Sequence, residues 1–581
     1  MISATSASEL YNLRPAREVM KLERLGSMFA SRLSFVRSLM RKMITERWQI
    51  VNTVFDLDAK GHGLAIYRIK TPANCYHCVI FSRDLTPEQR SDRVIAEAWD
   101  VTFAVVEGEV ENSLLEQMAA NVPLQEAGRQ HPRVLVLSRA NKSLRNFSQF
   151  IGALAAGRQP DPAWLTAVGY LYRTTAVYGN GKFGIADFAR LERNPDFNRP
   201  FAAQMLAVYV LRQFSIDQLN HLAKVQSPEQ ATTLHPELER YLGIGNSTGL
   251  GMAPFLINHP QLIQQWVYGR ERALAYARQE AATEQTHAKL QELMARALKH
   301  LQQTQTEDRE QALRNQETAR SVTETIDWLD RTPAHPGLYE ELITWARGHC
   351  SLEAQELINT MLIELYPNLV DKLDDELGCH ESMDLQPDMK AKQLKSLIDQ
   401  KFSWALSYRE DCPDDNYWFW YRSVEKEEPR LGVRGAESGA EKETALAIGP
   451  RISRCHAKLE QFLAQNPNAM VVEFLLAHPE QKECVRRIQT MGETPYGEIR
   501  ANLWHRDMKP MHLLRTKLSF FGASRFDPKS DRWVRITLFQ GAPRPCELTN
   551  PERSLEQLDD WGFPLEPQLD NNNLILQGKV T

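Results

Sequence analysis

Three clusters hold the residues whose types and spacing could do chemistry. The densest is Tyr241 to Pro260, YLGIGNSTGLGMAPFLINHP, where four glycines stand among Asn246, Ser247 and Thr248. His235-Pro236 opens a short helix ending at Leu242, Gly243 suits its left-handed cap, and Pro254 suits the first turn of the next helix. Between these helices Gly245, Asn246, Ser247, Thr248, Gly249 and Gly251 offer unhindered N–H groups and small polar side chains beside a helix start. Such a loop can wrap a phosphate or a carboxylate. The glycine spacing is close to a dinucleotide fingerprint, but that fingerprint follows a strand and HPELERYL reads as helix. No lysine stands where a Walker loop needs one. The competing structural reading is a tight interhelical turn whose glycines let backbones approach closely.

The second cluster is Arg173 to Gly184, RTTAVYGNGKFG. Asn180 lies between two glycines, and Lys182 immediately precedes a helix expected from Phe183. A lysine held there is a point-charge clamp on an anion, with Arg173 as a further cation, or, if desolvated, a base or imine former. A plain Asn-Gly turn with an exposed lysine is the structural alternative. Two glycine-asparagine loops in one helical region reinforce each other, and this coincidence favours an enzyme.

The third cluster is GEIRANLWHRDMKPMHLLRTK, residues 497 to 517. His505, Asp507 and His512 are of the types that form a two-histidine, one-carboxylate iron site. The stretch reads as helix, so positions 505 and 507 diverge while 505 and 512 share a face; a break at Lys509-Pro510 would restore the geometry. The same residues fit a general acid/base pair, His505 tuned by Asp507, with Arg500 on a substrate carboxylate. A surface helix with scattered charges is the alternative.

Weaker signals complete the set. Cys75, His77 and Cys78 in CYHC have the spacing of half a zinc site, but no second CxxC or HxxxH exists. Strand alternation sends Cys75 and His77 to one face and Cys78 to the other, so a buried cysteine beside a strand end is the simpler reading. Glu107 and Glu109, at the end of another strand, could be paired carboxylates, although such acids are mostly solvated. His259 stands close to the first cluster and suits a capping role.

The elements that must carry these residues follow from periodicity. Residues 1–46 read as amphipathic helices whose basic face is solvated or docked on the next domain. WQIVNTVFDLD, HGLAIYRIK and YHCVIFS are strand-like and bounded by turns, and VTFAVVEGE and RVLVLS follow, giving an α+β domain over 47–140. A helical domain with the glycine loops occupies 141–331, including helices at Pro162–Tyr172, Phe183–Leu191, Phe201–Leu211 and Ile216–Lys224 and a long hairpin broken near Thr304–Arg309. Residues 338–411 are helical, 412–450 form an irregular loop or lid around YWFWY, and 451–581 are mostly helical with one strand, WVRITLFQ. The expected fold is α+β and mainly α: an N-terminal antiparallel-sheet domain, a large multi-helix domain and a smaller C-terminal, mostly helical region.

The length of 581 residues leaves core size unconstrained, and a formal net charge of −5 gives no field that would draw in nucleic acid. Eight scattered cysteines read as reduced thiols, and no apolar run approaches a membrane span. The expectation is a cytoplasmic enzyme acting by proton transfer on a small anionic metabolite. Lys182, His505 and Asp507 would be catalytic, and Asn180, Gly245, Asn246, Ser247, Thr248, Gly249, Gly251, Arg173 and Arg500 would bind the substrate. No cofactor is specified, and homo-oligomerisation is compatible with the sequence. The alternatives are a non-haem iron oxygenase using His505, Asp507 and His512, and a non-catalytic helical scaffold or regulatory protein.

Overall fold

The computed structural model describes residues 13–19, 21, 23–24, 32–86, 99–124, 131–161, 164–165, 169–174, 191, 193–199, 201–248, 260–374, 383–407, 448–494, 496–498, 522–530 and 533–568. It is a mixed α/β structure in which helix predominates. The five strands expected from the sequence form an antiparallel meander: β1 (Gln49–Leu57), β2 (Gly63–Lys70), β3 (Cys75–Ser82), β4 (Val101–Glu107) and β5 (Val134–Lys142).

The sheet does not stop at residue 140. It takes up β6 (Tyr170–Thr174), β7 (Gly243–Thr248), β8 (Arg525–Ser530) and β9 (Trp533–Leu538), giving nine strands in the order β1-β2-β3-β4-β5-β6-β7-β9-β8. Two expectations change here. Residues 170–172, read as the end of a helix, begin β6, and the start of the glycine loop is itself a central strand. Glycine is a poor strand former in isolation. At this position β7 has a neighbour on each side, and the tertiary ladder overrides local preference.

Helices cover both faces. α1 (Phe35–Thr45) precedes the sheet, α2 (Asn112–Asn121) follows β4, and α3 (Leu144–Ala155) follows β5. The expected segments 201–211 and 216–224 are one 25-residue helix, α4 (Ala202–Gln226), with apolar residues from Ala202 to Ala223 buried all round it. After α5 (Pro236–Tyr241) and β7 come α6 (Pro260–Gln279), α7 (Glu284–Gln303) and α8 (Arg309–Arg331). The predicted break between α7 and α8 is present, and Asp308 makes it by accepting from the Gln311 N–H as the cap of α8. α9 (Leu338–His349), α10 (Leu352–Glu364) and α11 (Pro367–Asp374) complete the central bundle, and α12 (Ala391–Lys401), α13 (Ile448–Gln465), α14 (Val471–Ala477) and α15 (Lys482–Gly492) form the later helical part. The expected helix at 183–191, the irregular 412–450 stretch and the helix read through 497–517 lie mostly or wholly outside the described residues. No helix among the described residues is long and apolar enough to cross a membrane.

The basic residues of the N-terminal stretch point inward. Arg14, Arg24, Arg32, Arg37 and Arg41 are all buried, so the solvated-face expectation fails for them, and their carboxylate partners lie far along the chain rather than in the next domain. Arg14 donates through Nε and Nη2 to Glu271 of α6 at 2.8 and 2.6 Å and through Nη1 to Glu356 of α10 at 2.5 Å. Arg270 adds a 2.8 Å bond to Glu356, and Arg24 reaches the same carboxylate at 3.4 Å. Burial opposes ionisation of Glu356, but Arg14 and Arg270 outweigh it and hold the carboxyl down at about 2. In α1, Arg37 pairs with Glu364 at 2.8 Å and with Asp559 at 3.3 Å, while Arg32 reaches Asp559 at 2.6 Å. These pairs clamp the N-terminal stretch between the bundle and the last part of the chain. Removing one partner from such a pair strands a buried charge.

Candidate functional site

β6 and β7 are the only parallel neighbours in the sheet among the described residues. A parallel pair requires a crossover, here residues 175–242 with α4 inside it, and both strands therefore release the chain at the same edge. Carboxyl ends of adjacent parallel strands are where open mixed sheets tend to hold ligands. β6 and β7 contain early residues of the two glycine-asparagine segments singled out from sequence, 173–184 and 241–260, whose remainders 175–184 and 249–259 lie outside the described residues.

The register puts Arg173 opposite Gly245 and Thr174 opposite Asn246. Arg173 and Gly245 are thus neighbours across the two strands. Strand alternation then divides the set: Gly245 shares a face with Arg173, whereas Asn246 shares the other with Thr174. Further along the ladder Ser247 pairs with Arg535 of β9, and Arg535 pairs with Asp527 of β8. Tyr170 is buried here; burial pushes its phenol up, opposed by Arg173, Arg535 and Arg525. Arg525 donates to the Gln305 carbonyl at 2.6 Å, and Thr306 donates to Asp527 at 3.0 Å, so the α7–α8 turn covers the outer end of this ladder.

The glycines of β7 have a packing reason. A Cβ on Gly243 would lie 2.5 Å from the Leu538 carbonyl oxygen, and one on Gly245 would lie 2.6 Å from the Tyr170 ring. Their peptide groups belong to the β6 and β9 ladders, and the Gly243 N–H donates to Gly169 at 2.9 Å. From Gly243 to Thr248 the segment is therefore not an open anion-wrapping loop between helices.

The other face holds an observation that sequence reading could not supply. Asn246 is buried, and neither its amide nitrogen nor its amide oxygen has a hydrogen-bond partner. Beside it Thr174 donates to the Arg139 carbonyl at 3.0 Å. Arg139 in turn stacks at 3.6 Å over Trp99. An amide with both ends unused costs about 1–3 kcal/mol, and such a group in a native fold calls for a reason.

The entry to β7 is fixed by Arg212 of α4, a fully buried guanidinium with no carboxylate among its hydrogen-bond partners. It donates to the carbonyls of Leu242 at 2.5 Å, Glu239 at 2.9 Å, Arg240 at 3.0 Å, Ala542 at 2.9 Å and Pro543 at 3.1 Å. Burial lowers its pKa to about 10. Arg212 thus closes the end of α5 and ties it to the segment after β9. A lone arginine within an apolar helical run was the available signal in the sequence.

The remaining expected site residues, Asn180, Lys182, Gly249, Gly251, Arg500, His505, Asp507 and His512, lie outside the described residues. Compared with protein-family models, with curated proteins and with solved structures, the chain matches none of them.

Proposed function

We propose that the protein is an enzyme that binds a small carboxylate or phosphate metabolite where β6 and β7 end, and that it carries out proton transfer beside the bound anion. The observation that carries this reading is the unpartnered, buried amide of Asn246 at the shared carboxyl edge of the parallel pair. An amide offers one anion oxygen a donor and one hydroxyl or protonated oxygen an acceptor. Asn180 and Lys182 follow Thr174 within the next eight residues, so they are available to complete such a site. Lys182, or His505 with Asp507, would move the proton.

A panel of carboxylates and phosphates tested by thermal shift on the full chain measures this. A ligand that binds only the native state stabilises it by RT ln(1 + [L]/Kd), so Tm rises with the logarithm of ligand concentration above Kd. The shift should vanish in Lys182→Ala and in Asn246→Leu. Retention of the wild-type shift in both variants rejects the reading.

A second reading, a non-catalytic scaffold, has its own support. The backbone of β7 is spent in two ladders and its glycines serve close packing. It expects the whole panel to leave Tm unchanged.

A further inference from the structure

Two signals that look unrelated in sequence, CYHC and the acidic end of β4, meet in space. Cys75 and His77 share one face of β3, as alternation requires, and Glu109 follows the end of β4 alongside. One ligand atom from each of Cys75, His77 and Glu109 lies within 4.8 Å of the other two. Glu109 Oε2 is 3.6 Å from His77 Nε2, and Glu109 Oε1 is 3.9 Å from Cys75 Sγ.

Gly108 arranges this meeting. Its φ of +78° turns the chain back over β3, a conformation suited to glycine. Its N–H donates to the Cys75 carbonyl at 2.8 Å, and its own carbonyl lies 2.8 Å from His77 Nδ1. A neutral imidazole whose Nδ1–H is given to that carbonyl presents the lone pair of Nε2 toward Glu109. This orienting bond from the far ring nitrogen to a backbone carbonyl is the arrangement that supports metal-bound histidines.

We propose that Cys75 Sγ, His77 Nε2 and a Glu109 carboxylate oxygen bind a divalent cation of the zinc class, with water in the fourth tetrahedral position. Bonds of about 2.3 Å to sulfur and about 2.0–2.1 Å to nitrogen and oxygen imply ligand separations of roughly 3.3–3.6 Å. The 3.6 Å to His77 and the 3.9 Å to Cys75 belong to the two different oxygens of Glu109, so the exposed carboxylate must turn to bring one oxygen to both, and the three ligand atoms, all within 4.8 Å of one another, close onto the ion from there. Thiolate and imidazole select zinc-like ions over magnesium or calcium. A thiolate and a carboxylate together neutralise the dication. Arg68 and Lys70 stand across from His77 and Cys75, but both are exposed, so water and salt screen their charge. His77 is nearly buried, with 7% of its side chain exposed, whereas Glu109 is 76% exposed, so an ion can enter from the Glu109 side.

Cobalt(II) titration of the metal-stripped full-length chain tests the site. One cobalt per chain should bind with a thiolate-to-cobalt charge-transfer band, and zinc should displace it. Cys75→Ser should lose the band, and Glu109→Gln should bind at least tenfold more weakly. Because Glu109 is exposed, Glu109→Gln keeps the fold, which circular dichroism checks. His77→Ala serves as a second ligand deletion. Absence of the band in the folded wild type overturns the proposal, as does wild-type cobalt affinity in Glu109→Gln.

Discussion

The ring of Tyr170 lies over Gly245 so closely that a Cβ on that glycine would stand 2.6 Å from both Cε1 and Cζ of the phenol. Nothing of this size could be relieved by rotating the ring alone, because Tyr170 is itself buried. Gly245→Ala should therefore cost about 1–3 kcal/mol through overpacking. Gly245→Ala combined with Tyr170→Ala should cost less than the sum of the single changes, since each relieves the other. Urea unfolding of the four proteins of the cycle measures the coupling; additive losses would show that the glycine is needed for something other than the ring.

Asn246 makes the opposite prediction. Replacing an unpartnered buried amide by an apolar residue of similar size removes a desolvation cost and no hydrogen bond. Asn246→Leu should keep or raise the stability of the free protein, by as much as about 1–3 kcal/mol, while abolishing any anion-induced thermal shift. A destabilised Asn246→Leu would mean that the amide already has a partner in the free protein.

These two neighbours also show what the sequence could and could not disclose. The first five strands were readable because WQIVNTVFDLD, HGLAIYRIK and their successors are short, β-branched runs bounded by turns, and the break before α8 was readable because a continuous helix of that length does not fit a compact domain. β7 was not readable, because GIGNST has only Ile244 as an apolar side chain and two glycines, too little for a strand pattern until Tyr170 and Leu538 supply its surroundings. The inward charge of the N-terminal stretch was equally hidden: Arg14 and Glu356 are separated by more than half the chain, and helical spacing reports a polar face without saying whether water or carboxylates meet it. Of the expected substrate-binding residues, Arg173 and Gly245 are paired across β6 and β7, whereas the face that separates Asn246 from them and the fastening role of Arg212 depend on a register that the sequence does not disclose.

Arg212 supports a third prediction. Its five carbonyl contacts lie in two separate segments, 239–242 and 542–543, and a lysine lacks the planar fork that reaches both. Arg212→Lys should destabilise the protein by about 3 kcal/mol or more, because several buried carbonyls lose their donor. Hydrogen exchange should show the damage first at the α5–β7 junction and around residues 539–543. Uniform loss of protection would assign Arg212 to global stability rather than to that junction.

Acid should lower the stability of the protein in two separable pH windows. His300 of α7 is buried, with Nδ1 2.9 Å from the Pro564 carbonyl, and burial lowers its pKa to about 4. The unfolded chain binds a proton at about 6.5, so between pH 6.5 and 4 the unfolded state holds more protons and stability falls as pH falls. Glu356 acts at lower pH. Its folded pKa of about 2 lies below the ordinary 4.5, so its contribution is complete above 4.5 and is lost as pH drops toward 2. Each step is worth about 3 kcal/mol at most. His300→Asn should flatten the stability profile between pH 6.5 and 4 and leave the lower step in place. Glu356→Gln should remove the lower step, but at a cost of about 3–5 kcal/mol at neutral pH, because Arg14 and Arg270 are left buried beside a neutral amide. Denaturant titrations at half-unit pH intervals resolve the two windows. An unchanged slope between pH 6.5 and 4 in His300→Asn would assign that loss to other groups.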